Sequence, residues 1–146
     1  MAEIGFYHLT RSTLEQALPR LLARTLAAGQ RALVLTPTEA ERDALNDALW
    51  QQPEWLPHGT SADGDADLQP IWLSTEPEAL NGARFLFLTH DAATERLSEF
   101  DRVFDLFDGN SESSLHAARQ RWKAARDSGH AVTYWQQTER GWQQKA

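Results

Sequence analysis

The sequence predicts a three-layer α/β domain in which helices cover both faces of a mostly parallel, Rossmann-like sheet. Short apolar segments typical of buried strands alternate with longer segments whose apolar residues recur at helical spacing. These helical segments are long enough to cross over a sheet, which favours parallel strands. Because 146 residues fit one domain, we expect residues 1–146 to form a single α/β unit.

The first half of the chain contains two predicted strand–helix units. Residues 3–9 are mainly apolar and aromatic and predict the first strand, and a leucine-rich stripe at helical spacing follows Thr13. The apolar run 31–36 is typical of a parallel strand buried on both faces. A second helix is predicted from its capping residue Thr38 to about Gln52.

The second half begins with a polar segment and then returns to strands and helices. Residues 53–69 are rich in glycine and acidic side chains and predict a loop. The remaining predicted elements are strands at 70–75, 84–89 and 102–107, a helix at 112–127, a strand at 131–135 and a polar C-terminal tail at 136–146.

The composition excludes several classes of function. The chain has no cysteine, so disulfides and thiolate chemistry are not available. The net charge of -7 argues against a protein whose whole surface binds nucleic acid phosphates. No secretion signal is visible, and no apolar run approaches the roughly 20 residues of a membrane helix. We therefore expect a cytoplasmic protein without a membrane contact.

Nucleotide-binding loops are not found after either of the first two predicted strands. The segments 8–12 and 36–39 lack the glycines that let backbone amides close on a phosphate, and they lack the Lys-Ser/Thr pair of a P-loop. Pro37 also removes one amide donor. We predict neither a cofactor nor a metal.

One segment is similar to part of an enzyme site. Asp105 and Asp108 precede Gly109 and Asn110, a pattern similar to the magnesium loop of haloacid-dehalogenase-type phosphatases. The two carboxylates are three positions apart, so on an extended strand they point to opposite faces. A small magnesium-dependent hydrolase or phosphatase that uses them is one hypothesis. The structural interpretation is a strand that ends in an Asp-Gly-Asn turn.

Two tryptophans stand out near the end of the second predicted helix. Its predicted buried stripe consists of Ala44, Leu45, Ala48 and Leu49. Trp50 falls on the charged side of the helix, and Trp55 follows in the loop. Either the loop folds back so that Trp55 covers Trp50, or the two rings form an exposed patch of the composition favoured at protein–protein interfaces.

The predicted helix 112–127 concentrates basic side chains within an acidic chain. One face combines three cations with an indole ring, namely Arg119, Trp122, Lys123 and Arg126. The opposite side, with Ala118, Arg121 and Ala125, offers small residues for close packing. The basic face is either an ordinary solvated surface or a socket for an acidic peptide end, where cations hold carboxylates and an apolar wall holds the terminal side chain.

Five short segments, in this order and spacing, resemble the chi subunits of bacterial DNA polymerase III. They are residues 6–7 (FY), 48–50 (ALW), 56–59 (LPHG), 103–105 (VFD) and 119–126 (RQRWKAAR). The similarity extends from about residue 4 to residue 135. Each segment alone is a weak signal, and their order over the whole chain makes the resemblance specific.

This resemblance implies a Rossmann-like, non-catalytic adaptor in the clamp-loader assembly. One implied partner is the acidic C-terminal tail of single-stranded DNA-binding protein, which ends in an apolar aromatic residue with a free carboxylate. The positions that match its pocket are Arg119, Trp122, Lys123 and Phe107, the last as an apolar wall. A lysine that some members carry one turn before Arg119 corresponds to Leu115 here.

The second implied partner is the small psi subunit, which connects chi to the clamp loader. Trp50 and Trp55 match the aromatic positions of that contact. Such an adaptor also fits the negative net charge, because it reaches single-stranded DNA only indirectly, through another protein. An unrelated binding module, such as an inactive helicase-like fragment, is a further alternative.

Overall fold

The computed structural model describes residues 2–53 and 55–146; Met1, and Glu54 within the segment predicted as a loop, lie outside this description. Strands and helices alternate along most of the chain, and two short 3-10 turns occupy Ala66–Leu68 and Leu97–Glu99. The strands are β1 (Glu3–Leu9), β2 (Ala32–Leu35), β3 (His58–Gly59), β4 (Ile71–Ser74), β5 (Phe85–Leu88), β6 (Arg102–Asp108), β7 (Ala131–Thr138) and β8 (Gly141–Gln144). The helices are α1 (Leu14–Ala27), α2 (Glu39–Trp50) and α3 (Glu112–Asp127).

All of these strands lie in one sheet with the order β3-β4-β2-β5-β6-β1-β7-β8. Every described pairing is parallel except that of β7 with β8. Helices α1 and α2 pack on one face of the sheet, and α3 packs on the other. The predicted three-layer, Rossmann-like fold with a mostly parallel sheet is confirmed.

Side-chain caps begin the helices where the sequence places them. The Thr38 hydroxyl accepts a hydrogen bond from the amide of Glu41, and the Ser111 hydroxyl accepts one from the amide of Ser114. Gly129, at a φ of 85°, follows the end of α3, where its left-handed conformation costs little. Helix α3 therefore has the predicted bounds. In the described part of the chain, no helix is both long and apolar enough to cross a membrane.

The alternation of β6 shows how the sheet separates two cores. Phe104 and Leu106 belong to the core beneath α1 and α2, whereas Val103 and Phe107 belong to the core beneath α3. Successive side chains of a strand point to opposite faces, so odd-numbered positions of β6 face α3. Asp105 shares that face and is almost fully buried.

Part of the segment predicted as a loop, 53–69, instead forms an edge strand. His58 and Gly59 pair with β4 in parallel. The buried His58 ring holds this segment against α2, because its two ring nitrogens lie 2.6 and 3.2 Å from the carbonyl oxygens of Leu56 and Asn46. These contacts join distant parts of the chain, and a reading of local turn residues does not reveal them.

The prediction of a polar tail at 136–146 is wrong. Strand β7 continues to Thr138, and β8 returns beside it to form an antiparallel hairpin. The Gln137 amide oxygen accepts hydrogen bonds from three consecutive backbone amides, those of Thr10, Arg11 and Ser12, at 2.9 to 3.2 Å. Polar residues are ordered here because their side chains bond to the main chain of the loop after β1.

The buried stripe of α2 also differs from the prediction. Leu45 and Leu49 are buried as expected, whereas Ala44 is exposed and Ala48 is half-buried. Arg42 is buried instead, and its guanidinium lies 3.0 Å from a carboxylate oxygen of Asp43 and 3.1 Å from the hydroxyl of Ser61. The buried face of α2 therefore runs through Arg42, Leu45 and Leu49, and the arginine connects the helix to the 60–63 turn.

Candidate functional site

A pocket of about 220 Å³ opens between α3 and the strands β1, β6 and β7. Its strand side consists of Phe6, His8, Phe107 and Tyr134. The sheet register places Phe6 beside Tyr134 and His8 beside Phe107. These four side chains come from three separate segments, and they meet because parallel strands bring alternate positions to one face.

The helix side of the pocket comes from four positions at helical spacing, namely Leu115, Ala118, Arg119 and Trp122. Buried Ala118 allows α3 to approach the sheet closely. Trp122 packs edge-on against Phe6, with 5.5 Å between ring centroids, and against Tyr134 at 6.0 Å. The indole is therefore a fixed, half-buried wall of the pocket.

His8 is the polar group of the pocket floor. Its ring stacks on Phe107 with 5.1 Å between centroids, and its Nδ1 atom forms a hydrogen bond with the Tyr134 hydroxyl. A side chain at Gly109 would collide with the His8 ring and would bring its Cβ atom within 2.5 Å of the Leu9 carbonyl oxygen. The glycine of the Asp-Gly-Asn turn is thus required for the shape of this floor.

The arginines of α3 have different electrostatic roles. Arg121 forms two hydrogen bonds to buried Asp105, at 2.6 and 3.0 Å, and lies 3.1 Å from a carboxylate oxygen of Asp91. Arg119 and Lys123 are exposed and take part in none of the ion pairs found among residues 2–53 and 55–146. Arg119, in the lining of the pocket, and Lys123, one turn further along α3, are therefore not neutralised by an ion pair in the described ranges.

Burial changes the ionisation of groups on this face. It raises the pKa of Asp105 to about 6, although the Arg121 guanidinium and its hydrogen bonds act in the opposite direction. Burial also raises the pKa of Tyr134, and the positive charge of Arg119 partly opposes that rise. The charge of Arg119 therefore acts on the interior of the pocket.

The structure brings together three of the four residues that the sequence suggests for the tail pocket. Phe107, Arg119 and Trp122 line it, whereas Lys123 lies outside its lining. Sequence reasoning selected neither His8 nor Tyr134. The alternation of β1 and β7 marks both residues as facing one side of the sheet, but only the strand order shows that they are neighbours.

Both tryptophans at the end of α2 expose much of their surface. Trp50 is 55% exposed and Trp55 is 79% exposed. The aromatic neighbour of Trp50 is His58, at 4.1 Å between ring centroids. The exposure of Trp55 agrees with the exposed-patch hypothesis rather than with a loop that covers Trp50.

The two carboxylates of the hydrolase hypothesis do not form a site together. Asp105 is buried beneath α3 in its pair with Arg121, whereas Asp108 is exposed and accepts a hydrogen bond from the Asn110 amide. Among the described residues, no group of three or more histidine, aspartate or glutamate side chains is arranged to hold a metal ion. A larger cavity of about 710 Å³ lies between α3 and the 93–97 loop, and its lining includes the Asp105–Arg121 pair.

Comparison with known proteins identifies the family. Residues 1–133 match the family described as DNA polymerase III chi subunit, HolC. The chain belongs to the DNA polymerase III chi subunit family. The family description names a subunit of DNA polymerase III.

Two curated chi relatives are similar at low identity. The probable DNA polymerase III subunit chi of Rickettsia prowazekii (strain Madrid E) is 26% identical over 109 residues, which cover 71% of this chain and 66% of the relative. DNA polymerase III subunit chi of Escherichia coli (strain K12) is 25% identical over 121 residues, which cover 81% of this chain and 82% of the relative. The chain thus spans slightly less than two thirds of the first relative and most of the second.

A solved structure with the same fold is that of T4 UvsW. The TM-score is 0.60 at 11% sequence identity, and the match covers 92% of this chain and 40% of the other. At this identity the similarity concerns the α/β fold alone.

The apolar part of the pocket extends along α3. Leu115 lines the pocket one turn before Arg119, and Phe107 belongs to the same lining.

Proposed function

We propose that this chi chain is a non-catalytic adaptor whose α3 pocket binds the acidic C-terminal tail of single-stranded DNA-binding protein. One observation carries the proposal: the lining of an apolar pocket includes an arginine that has no ion-pair partner among the described residues, and an exposed lysine follows it one turn later on α3. The two residues are Arg119 and Lys123. A peptide end with an aromatic side chain and a carboxylate needs both kinds of group.

The size of the pocket suits one terminal side chain rather than a larger ligand. Its volume of 220 Å³ is below the roughly 300–1,000 Å³ of typical small-molecule sites. A cavity of about 150 Å³ already accepts a benzene ring. Phe6, Phe107 and Trp122 supply apolar surface for a phenyl group, and Arg119 supplies hydrogen bonds for the carboxylate.

The charge of the chain supports an indirect role at DNA. With a net charge of -7, the protein as a whole repels phosphates, while α3 presents a local cationic face. An acidic peptide is attracted to that face. In this proposal the chain reaches single-stranded DNA through its partner and acts in the cytoplasm.

A second contact belongs to the same proposal. Trp50 and Trp55 are exposed and form the surface for the psi subunit, through which the chain joins the clamp loader. Large exposed aromatic side chains are typical anchors of protein interfaces. The pairing of Asp105 with Arg121 supports a non-catalytic role, because the hydrolase hypothesis needs the Asp105 carboxylate for magnesium and this carboxylate is already bonded to the guanidinium.

The test uses a peptide that copies an acidic tail ending in phenylalanine, with binding followed by calorimetry. We expect a dissociation constant between about 1 μM and 1 mM that weakens with salt. Arg119→Ala should weaken binding about tenfold or more, because a charged hydrogen-bond donor to the carboxylate is lost. The matched control is Arg20→Ala, which removes the same charge from an exposed position of α1 on the opposite face of the sheet and should change affinity less than threefold.

A second control uses the same peptide with an amidated C-terminus. Amidation should reproduce most of the loss caused by Arg119→Ala, and the two changes together should lose little more than either one. Full affinity in the Arg119→Ala variant, with a native circular dichroism spectrum, would remove the pocket from the proposal.

A further inference from the structure

Charge is divided unequally between the two halves of the sheet. Residues 32–101 contain 14 acidic and three basic side chains, whereas the remainder of the chain contains seven acidic and 11 basic ones. The first group includes β2, β3, β4 and β5, which are adjacent in the sheet, and the second includes β6, β1, β7 and β8. The net charge of -7 is therefore the sum of a strongly acidic half and a mildly basic half.

The exposed tryptophans lie on the acidic half. Asp43, Asp47 and Trp50 follow one another at i, i+4 and i+7 on the exposed side of α2, and Trp55 lies in the loop that leads to β3. We name these four residues the acidic tryptophan surface. Asp43 pairs with Arg42, whereas Asp47 takes part in none of the ion pairs found in the described ranges.

Further contacts hold this surface in place. Trp50 packs on the buried ring of His58 in the edge strand β3. Arg42 bonds to Ser61, and this contact places the acidic 61–67 loop beside α2. Trp50 is thus held against the edge strand, and the carboxylates of Asp43 and Asp47 precede it on the exposed side of α2.

The chemistry of the acidic tryptophan surface favours one kind of binding partner. Tryptophan is the best aromatic partner for a cation, and neighbouring carboxylates strengthen the attraction of lysine and arginine. The same charges repel nucleic acid and anionic lipid headgroups. An apolar anchor is also required, because cations alone would leave the exposed indole rings uncovered.

We propose that the acidic tryptophan surface binds a lysine- and arginine-rich segment of a partner protein that carries an apolar anchor residue. The inference deepens the proposed psi contact, on which it rests, by stating the chemistry of the segment that binds there. The chain then holds two partners of opposite charge at opposite halves of one sheet. An anionic peptide end binds at α3, and a cationic segment binds at α2.

The test uses two synthetic peptides of about 15 residues. In the cationic probe, lysines and arginines flank a leucine, and in the anionic probe glutamates replace them. We expect the cationic probe at 0.15 M salt to shift the indole NMR signals of Trp50 and Trp55, and the anionic probe to leave them unchanged. Asp47→Lys and Trp55→Ala should each weaken binding of the cationic probe at least fivefold.

Matched controls separate a docking surface from general attraction. Glu76→Lys makes the same change of charge at an exposed position of the acidic half, and Leu80→Ala removes another exposed apolar side chain, 58% exposed. Both should retain binding within twofold, because neither residue belongs to the acidic tryptophan surface. Equal losses in Glu76→Lys and Asp47→Lys, or shifts centred elsewhere on the chain, overturn the proposal.

Two further outcomes are distinguishable in the same samples. Self-association in sedimentation experiments that disappears in Asp47→Lys identifies a second copy as the occupant and also overturns the proposal. The acidic-tail peptide, measured in parallel, reports on Arg119 independently. A psi subunit that binds away from Trp50 and Trp55 contradicts the proposed function without changing the result for the cationic probe.

Discussion

Two arginines two positions apart on α3 have different roles at the scale of single residues. Arg121 turns towards the sheet and neutralises Asp105, whereas exposed Arg119 lies at the pocket. Removal of Arg121 leaves a buried carboxylate without its partner, which is strongly destabilising. Only Arg119 is therefore free to serve binding without a structural cost.

Asp105 makes stability depend on pH in an unusual direction. Burial raises its pKa from 3.8 to about 6 in the folded chain. Between these values the folded chain binds more protons at this carboxyl than the unfolded chain, so the free energy of unfolding falls as pH rises from about 4 to about 6. Two pKa units correspond to a contribution of about 3 kcal/mol.

The measurement is the difference in unfolding free energy between the wild type and Asp105→Asn across this pH range. Subtraction cancels the other carboxylates, and we expect the wild type to lose stability relative to the variant as pH rises. A carboxyl NMR titration of Asp105 gives the midpoint directly. A midpoint at or below pH 4 would contradict the effect of burial.

At the scale of elements, the β7–β8 hairpin closes the sheet beside the pocket. Tyr134 of β7 lies in the pocket floor, and the ring of Trp142 in β8 packs edge-on against Tyr7 with 5.0 Å between centroids. Trp142 joins the core on the face opposite to α3. The hairpin therefore connects the two cores and supports β7, which carries part of the site.

We expect Trp142→Ala to lower the free energy of unfolding by about 1–3 kcal/mol, because a half-buried aromatic ring leaves the core. Urea denaturation measures the loss. Gln143→Ala is the control, because its side chain is exposed on the same strand, and it should stay within about 0.5 kcal/mol of the wild type. Equal stabilities of the two variants would mean that β8 does not pack on the domain.

At the scale of the whole molecule, the order of the strands keeps the two candidate surfaces apart. The pocket belongs to β6, β1 and β7 with α3, and the acidic tryptophan surface belongs to α2 and the edge strand β3. The helices concerned lie on opposite faces of the sheet. Two partners are then able to bind at the same time.

The separation predicts independent binding. Asp47→Lys and Trp55→Ala should each leave the affinity for the acidic-tail peptide within twofold of the wild type at 0.15 M salt, since screening removes the distant charge. Calorimetry with the same peptide measures this, and Arg119→Ala provides the reference for a real loss. A change of fivefold or more in either α2 variant would show that the surfaces are coupled.

Local patterns were sufficient for much of the fold. Thr38 caps α2 as the sequence predicts, the apolar run around β2 forms a buried strand, and α3 has the predicted bounds 112–127. Each of these signals depends on residues that are close together in the sequence, so it is recognisable without the tertiary structure. The basic character of α3 and the lack of phosphate-binding loops are local in the same sense.

Tertiary structure decided which residues meet. His8, Phe107 and Tyr134 share a pocket because β1 lies between β6 and β7, and strand order is a property of packing that no single segment contains. The same reason explains the hairpin at 136–146, whose polar residues are ordered by bonds to the loop after β1. The sequence by itself determined the α/β class and the chemistry that α3 and α2 have available. The sheet determined which of these residues become neighbours in a site, because contacts between distant segments depend on the order in which the strands pair.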